Sequence, residues 1–402
     1  MARTDAAAGP LGRLRVLVAH EWLVAWAGSE RVVEEILTAF PEADVVVGVR
    51  RPDMADGHRL TTRARETWLG RVPGARAHHR WFLPLQGLAF ASLDTSAYDL
   101  VISSSHAFSK MVRARPGAVH LCYCHSPPRY LWDLRDAYRR GAGPLQRAAL
   151  AVSSPALRRW DRHAAGRVDH FLANSRFVAS RVRRAYGRRA TVVYPPVSSK
   201  GAVAPGPRGD FLLSLGRLVP YKRVDLAIAA AERLGRRLIV AGDGPDRPRL
   251  ERLAGRRTEF AGAVSEAEAG RLLSTCAAFV FCAEEDFGIA PVEANAHGAP
   301  VVAYRAGGVC ESMADGVTAE FFDRQEVEDV AAALARALDR SWDQAALAAN
   351  AARFSPEVFR GRFRAAVEAG VRRYGGLAVQ ERVRAGSRRE AAARLTVARG
   401  DA

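Results

Sequence analysis

Twice along this chain, short apolar runs of strand length alternate with stretches of helical periodicity. A segment rich in Ser, Gly and Pro separates the two series. This rhythm constrains the fold strongly, because strands that alternate with helices pair in parallel and need helices on both faces of the sheet. The first series comprises strands at Leu14–Ala19, Ala43–Val49, Leu100–Ser103, Val119–Cys124 and His170–Ala173. Helical patterns start at Ser29, read as an N-cap, and span Phe177–Tyr186. The second series has strands at Phe211–Leu215, Leu238–Ala241, Thr258–Phe260, Phe279–Cys282 and Pro300–Ala303, with helices over Val224–Leu234 and Glu266–Cys276. A chain of 402 residues is long enough for two cores. We therefore expect an α/β protein of two Rossmann-like, doubly wound domains, residues 1–197 and 211–355, joined by a linker at 198–210. Beyond them Phe359, Phe363, Val367, Val371 and Tyr374 recur at helical spacing. Residues 375–402 are polar, Arg-rich and Ala-rich, and read as a poorly packed tail.

Hydrophobic residues make up 49% and charged residues 26% of the chain, as in ordinary globular domains. No apolar run of about 18 residues occurs, so no membrane-crossing helix is expected. Met1 to Leu11 lacks the apolar core of a signal peptide. The five cysteines form no Cys-x-x-Cys, and we expect buried free thiols in a reducing compartment, which points to the cytoplasm. Net charge is +17, and from Arg129 to Arg189 fifteen Arg face only four acids. Such a stretch suits an anionic membrane face, a nucleic acid or plain solvent.

The residues with the most chemical content lie where strands end. In Glu285-Asp-Phe-Gly-Ile-Ala-Pro-Val-Glu293, seven residues separate two carboxylates just after an apolar strand. Pro291 suits the first position of a helix, which puts Glu293 in the first turn and Glu285 in the preceding loop. Ligands bind open α/β sheets at that edge, and each carboxylate can accept two hydroxyl hydrogen bonds, as a sugar diol offers. Free N–H groups at the helix start favour a phosphate. Equally, a Glu in a first turn is favoured by the helix dipole alone. In Leu213-Ser-Leu-Gly216-Arg217, followed by Lys222, two cations follow another strand, placed to neutralise a diphosphate. As surface charges at a helix start they would be mildly disfavoured. Gly242-Asp-Gly244-Pro245 lacks the third glycine of a dinucleotide fingerprint, and reads as a tight turn. In the first series, His125 follows a strand, in a loop held by Pro127 and Pro128 and continuing through Arg129, Tyr130 and Trp132. No Asp-x-Asp triplet or metal-spaced His pair occurs in the sequence, so neither a metal nor a cofactor is expected.

The segment from Glu285 to Glu293, continuing through Gly307-Gly308 and Asp315-Gly316, resembles the signature of GT-B glycosyltransferases of the large retaining family 4. Order and spacing match over the whole second half of the chain. The resemblance implies a cleft between the two domains, and a helix at 356–374 that packs back on the first. It implies that Glu293 holds a ribose, that backbone near Val264 meets the base, and that Arg217 and Lys222, with Gly28, take the diphosphate. Glu285 and the Phe287, Gly288 and Ile289 backbone would hold the donor sugar, with His125 beside the reacting carbon. The family's first loop carries two adjacent glycines, whereas this chain has Ala27-Gly28; Ala319 replaces another common glycine. The motifs look most like mannosyltransferases of bacterial polysaccharide assembly. That implies retaining, metal-independent transfer from GDP-mannose to a glycan or lipid-linked acceptor, with contact to an anionic inner-membrane face and no nucleic acid. UDP-glucose or another hexose donor, a GT-B nucleotide-sugar epimerase, and a nucleic-acid-binding protein are the alternatives.

Overall fold

A computed structural model describes residues 11–54, 57–133, 143–198 and 208–384. Two compact units emerge. One takes the chain up to Asn174, Val178–Val193 and the residues from Arg360 on; the other takes Ser175–Phe177 and Tyr194–Phe359.

The first unit is built on seven parallel strands: β1 Val16–His20, β2 Asp44–Val47, β3 Arg65–Glu66, β4 Leu100–Ser105, β5 Val119–Cys124, β6 His170–Ala173 and β7 Ala190–Val192. Their order is β3-β2-β1-β4-β5-β6-β7. The second unit has six: β8 Phe211–Leu215, β9 Arg237–Ala241, β10 Thr258–Gly262, β11 Ala278–Phe281, β12 Val301–Tyr304 and β13 Ala319–Phe322. They run β10-β9-β8-β11-β12-β13. Each order reverses direction once, between β1 and β4 and between β8 and β11. At such a switch point the loops at the strand ends diverge and leave a crevice.

The expected doubly wound α/β class is what the chain adopts. Side chains alternate across the second sheet: Leu213, Ile239, Phe279, Phe281 and Val301 feed one apolar cluster. Their neighbours Leu212, Leu238, Val240, Val280 and Val302 feed the other. A strand buried on both faces reads as a continuous apolar run, which is why these strands were visible in the sequence. Sequence periodicity missed β3, β7 and β13, all of them edge strands of two to four residues. Edges are short and partly polar and carry little of that signal.

Four local expectations need correction. The helix Gly28–Ala39 is capped by Ala27, not Ser29. The Glu30 carboxylate accepts the Ala27 N–H at 3.0 Å and the Ser29 hydroxyl at 2.9 Å, so Ser29 is drawn into the first turn. The helix expected at Pro291 begins at Ile289, after Gly288 in the left-handed region at φ 85°. Glu293 is therefore its fifth residue, one position beyond the first turn. The segment after Gly375 is packed as far as it is described: residues 377–384 are helical, Val379 and Val383 are buried, and Arg382 pairs with Asp99 at 2.5 Å. The rest of that tail, and most of the expected linker, lie outside the described residues. In the preceding helix, Pro356–Tyr374, Phe363 packs on Phe40 and Tyr123 of the first unit. Four cysteines are buried, but Cys310 is exposed.

Candidate active site

In the second unit, β8 and β11 flank the switch point, and each delivers part of a polar constellation. After β8, Gly216 turns at φ 147° and Arg223 takes the left-handed conformation at φ 52°. Between them a single 3-10 turn, Pro220–Lys222, presents Lys222. A concavity there is lined by Gly216, Arg217, Lys222, Phe281, Cys282 and Ala283. Lys222 Nζ lies 3.6 Å from where a Cβ on Gly216 would stand, so the missing side chain keeps the space over the lysine open. Arg217 is exposed, and no ion pair engages it among the described residues. Lys222 is paired with Glu285 and stands 5.7 Å from the centre of the Phe281 ring.

Two sets of glycines build this edge by letting backbones touch. A Cβ on Gly242 would sit 2.0 Å from the Gly216 carbonyl, and one on Gly244 2.2 Å from that of Leu218. The Gly-x-Gly-Pro turn is thus a backing plate for the cation loop, as its failed dinucleotide fingerprint suggested. Likewise a Cβ on Gly307 would meet the Glu285 carbonyl at 2.4 Å, and one on Gly308 the Asp286 carbonyl at 2.2 Å. Gly308 N–H donates to the Glu285 carbonyl at 2.8 Å.

The residues expected at the sugar, ribose and base differ in burial. Phe287 is buried against Tyr194 and Phe354, so its ring is core and only its backbone faces the loop chemistry. Ile289 and Val264 sit half-buried on the same apolar cluster as Leu215. Glu293 is half-buried on the helix that Gly288 caps. Among the described residues no group of three or more His, Cys, Asp or Glu is placed to hold a metal.

In the first unit, the switch point lies between β1 and β4, and the polar residues gather there too. His125 Nε2 is 2.7 Å from Ser104 Oγ, which is 3.1 Å from His20 Nδ1. His20 Nε2 is 3.2 Å from Glu30 Oε1. Burial pushes His125 well below the usual imidazole range, so the ring is neutral. Beside this chain, Glu21 is buried and accepts the N–H groups of His106, Ala107, Phe108 and Ser109 at 2.8–3.2 Å. Burial works to raise its pKa, but His106, those amides and Lys110 hold it below the usual carboxylate range. Gly28 opens the helix whose Glu30 ends the His125 chain.

Sequence reasoning missed His20, Glu21, Glu30 and Ser104. One signal was available: His20-Glu21 and Ser103-Ser-Ser105 are polar residues directly continuing apolar strands at a sheet's switch point. Part of the Arg-rich stretch, in contrast, is engaged inside its own unit, while Arg159, Arg167, Arg176, Arg183, Arg184 and Arg189 are exposed. Arg158 and Arg162 stack over Trp132, Arg181 pairs with Asp133, and Arg188 donates to carbonyls of Ala165, Val168 and Asp169. No described helix is long and apolar enough to cross a membrane.

Comparison with known proteins agrees with this fold. Residues 26–200 match the model of Glycosyltransferase Family 4, and residues 202–354 that of Glycosyl transferases group 1. The chain is 28% identical to D-inositol 3-phosphate glycosyltransferase 2 of Catenulispora acidiphila, over 70% of this chain and 76% of that protein. It is 30% identical to a GDP-mannose-dependent alpha-(1-6)-phosphatidylinositol monomannoside mannosyltransferase of Mycolicibacterium smegmatis, over 46% of this chain and 56% of that one. The fold is shared with sucrose-phosphate synthase from Thermosynechococcus elongatus (TM-score 0.67, 19% identity, 88% of this chain and 99% of that one). It is also shared with Anabaena HepE in complex with UDP-glucose (TM-score 0.62, 17% identity, again 88% and 99%).

Proposed function

The chain belongs to the GT-B glycosyltransferases of family 4, and from that premise we propose that it transfers a hexose, with retention, from a nucleoside-diphosphate sugar to a glycan or lipid-linked acceptor. The observation that carries this reading is the meeting of Lys222 and Glu285 beside the exposed Arg217 at the second sheet's switch point. Cations there stabilise the charge that grows on a departing diphosphate, in a setting where their orientation is already fixed. No metal is needed for that step in this reading. Glu285, released from Lys222 when phosphate arrives, accepts hydroxyls of the sugar. Glu293 takes the ribose, and backbone near Val264 takes the base. His125 and the Gly28 loop serve the sugar and acceptor side.

GDP-mannose is the proposed donor, on the motif pattern and the mannosyltransferase relative; UDP-glucose is second, on the ligand of the Anabaena neighbour. For the membrane face, a second basic region adds support to the Arg-rich stretch. Trp81 lies in the 3-10 turn His79–Phe82, and Leu85 and Leu88 on the helix Leu83–Ala91 that follows it; they are exposed at 87%, 37% and 52%. Trp68, also exposed, bonds Ser92 at the same helix's end. From Arg59 to Ser92 the sequence has six Arg and one acid, Glu66. Apolar side chains among basic ones suit the headgroup layer of an anionic membrane on the cytoplasmic side.

The test is release of nucleoside diphosphate from GDP-mannose and UDP-glucose, with and without membrane lipid extract as acceptor. A transferase needs acceptor for full turnover. Conversion of the donor sugar with no acceptor would indicate an epimerase instead, and inert donors would remove the assignment.

A further inference from the structure

The four-residue chain in the first unit has a direction, and the direction decides what His125 offers a ligand. We propose that Glu30, His20 and Ser104 are positioning residues that fix His125 with its proton on Nε2, leaving Nδ1 as a bare acceptor for a substrate hydroxyl. The role of that acceptor rests on the proposed transferase reading; the proton order does not.

The proton order is set from the end that has no choice. An ionised carboxylate only accepts hydrogen bonds. Glu30 Oε2 already receives the Ala27 N–H and the Ser29 hydroxyl, and Oε1 faces His20 Nε2 at 3.2 Å. His20 Nε2 must therefore carry the ring proton. With a single proton on the ring, which is part of the proposal, His20 Nδ1 is an acceptor, 3.1 Å from Ser104 Oγ, which gives its single hydrogen there. Ser104 Oγ can then only accept from the other side, where His125 Nε2 lies at 2.7 Å. So Nε2 of His125 is protonated and Nδ1 is not. Burial keeps His125 neutral; a second proton on His20 would reverse the order and put the His125 proton on Nδ1, an outcome the spectra below tell apart.

The arrangement is built for this. His20 and Ser104 are register partners on β1 and β4, so the sheet itself sets their spacing. Both are fully buried, and Glu30 is 3% exposed. The same carboxylate anchors the Ala27–Ser29 turn, so one group ties the Gly28 loop to the tautomer of His125.

Substituting Glu30→Gln makes a sharp test. The amide has one oxygen, which stays with the Ala27 N–H and the Ser29 hydroxyl. Its NH2 then points at His20 Nε2 and donates. Every bond down the chain reverses, and His125 ends with Nδ1 protonated and its outward acceptor lost. Nitrogen-15 histidine spectra of the full chain, without substrate and assigned with His125→Asn, read this directly. We expect the Nε2–H form in the unaltered protein and the Nδ1–H form in Glu30→Gln. In Ser104→Ala, Glu30→Gln should no longer change the His125 signal. In turnover assays Glu30→Gln should lower kcat at least about tenfold with a smaller change in donor KM, as for a misplaced contact to the reacting group. A His125 signal identical in the unaltered protein and Glu30→Gln, or Nδ1–H already in the unaltered protein, would overturn the inference. If Glu30→Gln does not fold, Ser104→Ala alone decides: a mixture of tautomers supports the chain, and an undisturbed Nε2–H form refutes it. A reversal with no turnover from any donor leaves this inference standing and removes the proposed function. Turnover without a reversal does the opposite.

Discussion

Lys222 and Glu285 reach each other from opposite sides of the second sheet's switch point, the lysine after β8 and the carboxylate after β11, with side-chain exposures of 18% and 19%. A pair only partly exposed contributes little net stability, because the hydration lost offsets much of the attraction gained. Its position serves a ligand better than it serves the fold. We expect Lys222→Ala and Glu285→Ala each to lower transfer by about 10²–10³-fold, the cost of one preorganised electrostatic group. Melting temperature should move little in either variant. Equal turnover in the variants and the unaltered protein would show that the pair is ornamental.

Backbone contact at the glycine plates gives a second expectation. Gly308→Ala places a Cβ 2.2 Å from the Asp286 carbonyl, where only main chain can yield, so the Glu285 loop must shift. Stability should fall by about 1–3 kcal/mol, and activity with it. The control is Gly361→Ala in the helix Pro356–Tyr374, where an added Cβ meets nothing within 4 Å. Removing a helical glycine there should stabilise by about 0.5–1 kcal/mol. Thermal unfolding of both variants checks the pair of signs.

Acid should weaken the first unit through a histidine remote from the ligand chemistry. Burial lowers the His120 pKa to about 3, while its Nε2 stays 2.9 Å from Ser103 Oγ. Between that value and the unfolded value near 6.5, the unfolded chain binds the extra proton, so stability falls as pH falls through this window. At pH 5 the loss from His120 alone amounts to about 2 kcal/mol. Denaturant melts from pH 7 to pH 4.5 should show this slope, and His120→Gln should flatten it.

The apolar side chains exposed on the first unit can be tested without knowing the acceptor. Replacing Trp81 and Leu88 together by Ala removes two exposed side chains. Cosedimentation with vesicles containing phosphatidylglycerol should weaken about tenfold or more, since each buried apolar side chain contributes roughly 1.5–3 kcal/mol. Unchanged cosedimentation would assign that face elsewhere.

The sequence was most readable where burial is two-sided. β6 and β8 match their expected ranges because both faces of those strands are apolar. Edge strands such as β3, with only Arg65 and Glu66, leave no such trace. Arg217, Lys222 and Glu285 stood out because they follow apolar strands in segments with little structural reason for charge. Glu30 and His20 did not, because a Glu near a helix start and a polar strand end each have an ordinary explanation. Only the register of β1 on β4 shows that they converge on Ser104 and His125. Tertiary proximity between residues far apart in sequence has no periodicity to reveal it.

The central claim is that the second unit's switch point grips a nucleoside diphosphate through Lys222 and Arg217. Calorimetric titration of the full chain with GDP, GDP-mannose, UDP and UDP-glucose, repeated on Lys222→Ala, measures that grip without needing an acceptor. The account predicts saturable binding of one nucleotide pair, weakened at least about tenfold by the substitution, a loss of about 1.4 kcal/mol. Equal affinity in the two proteins, or no binding of any of the four compounds, would contradict it.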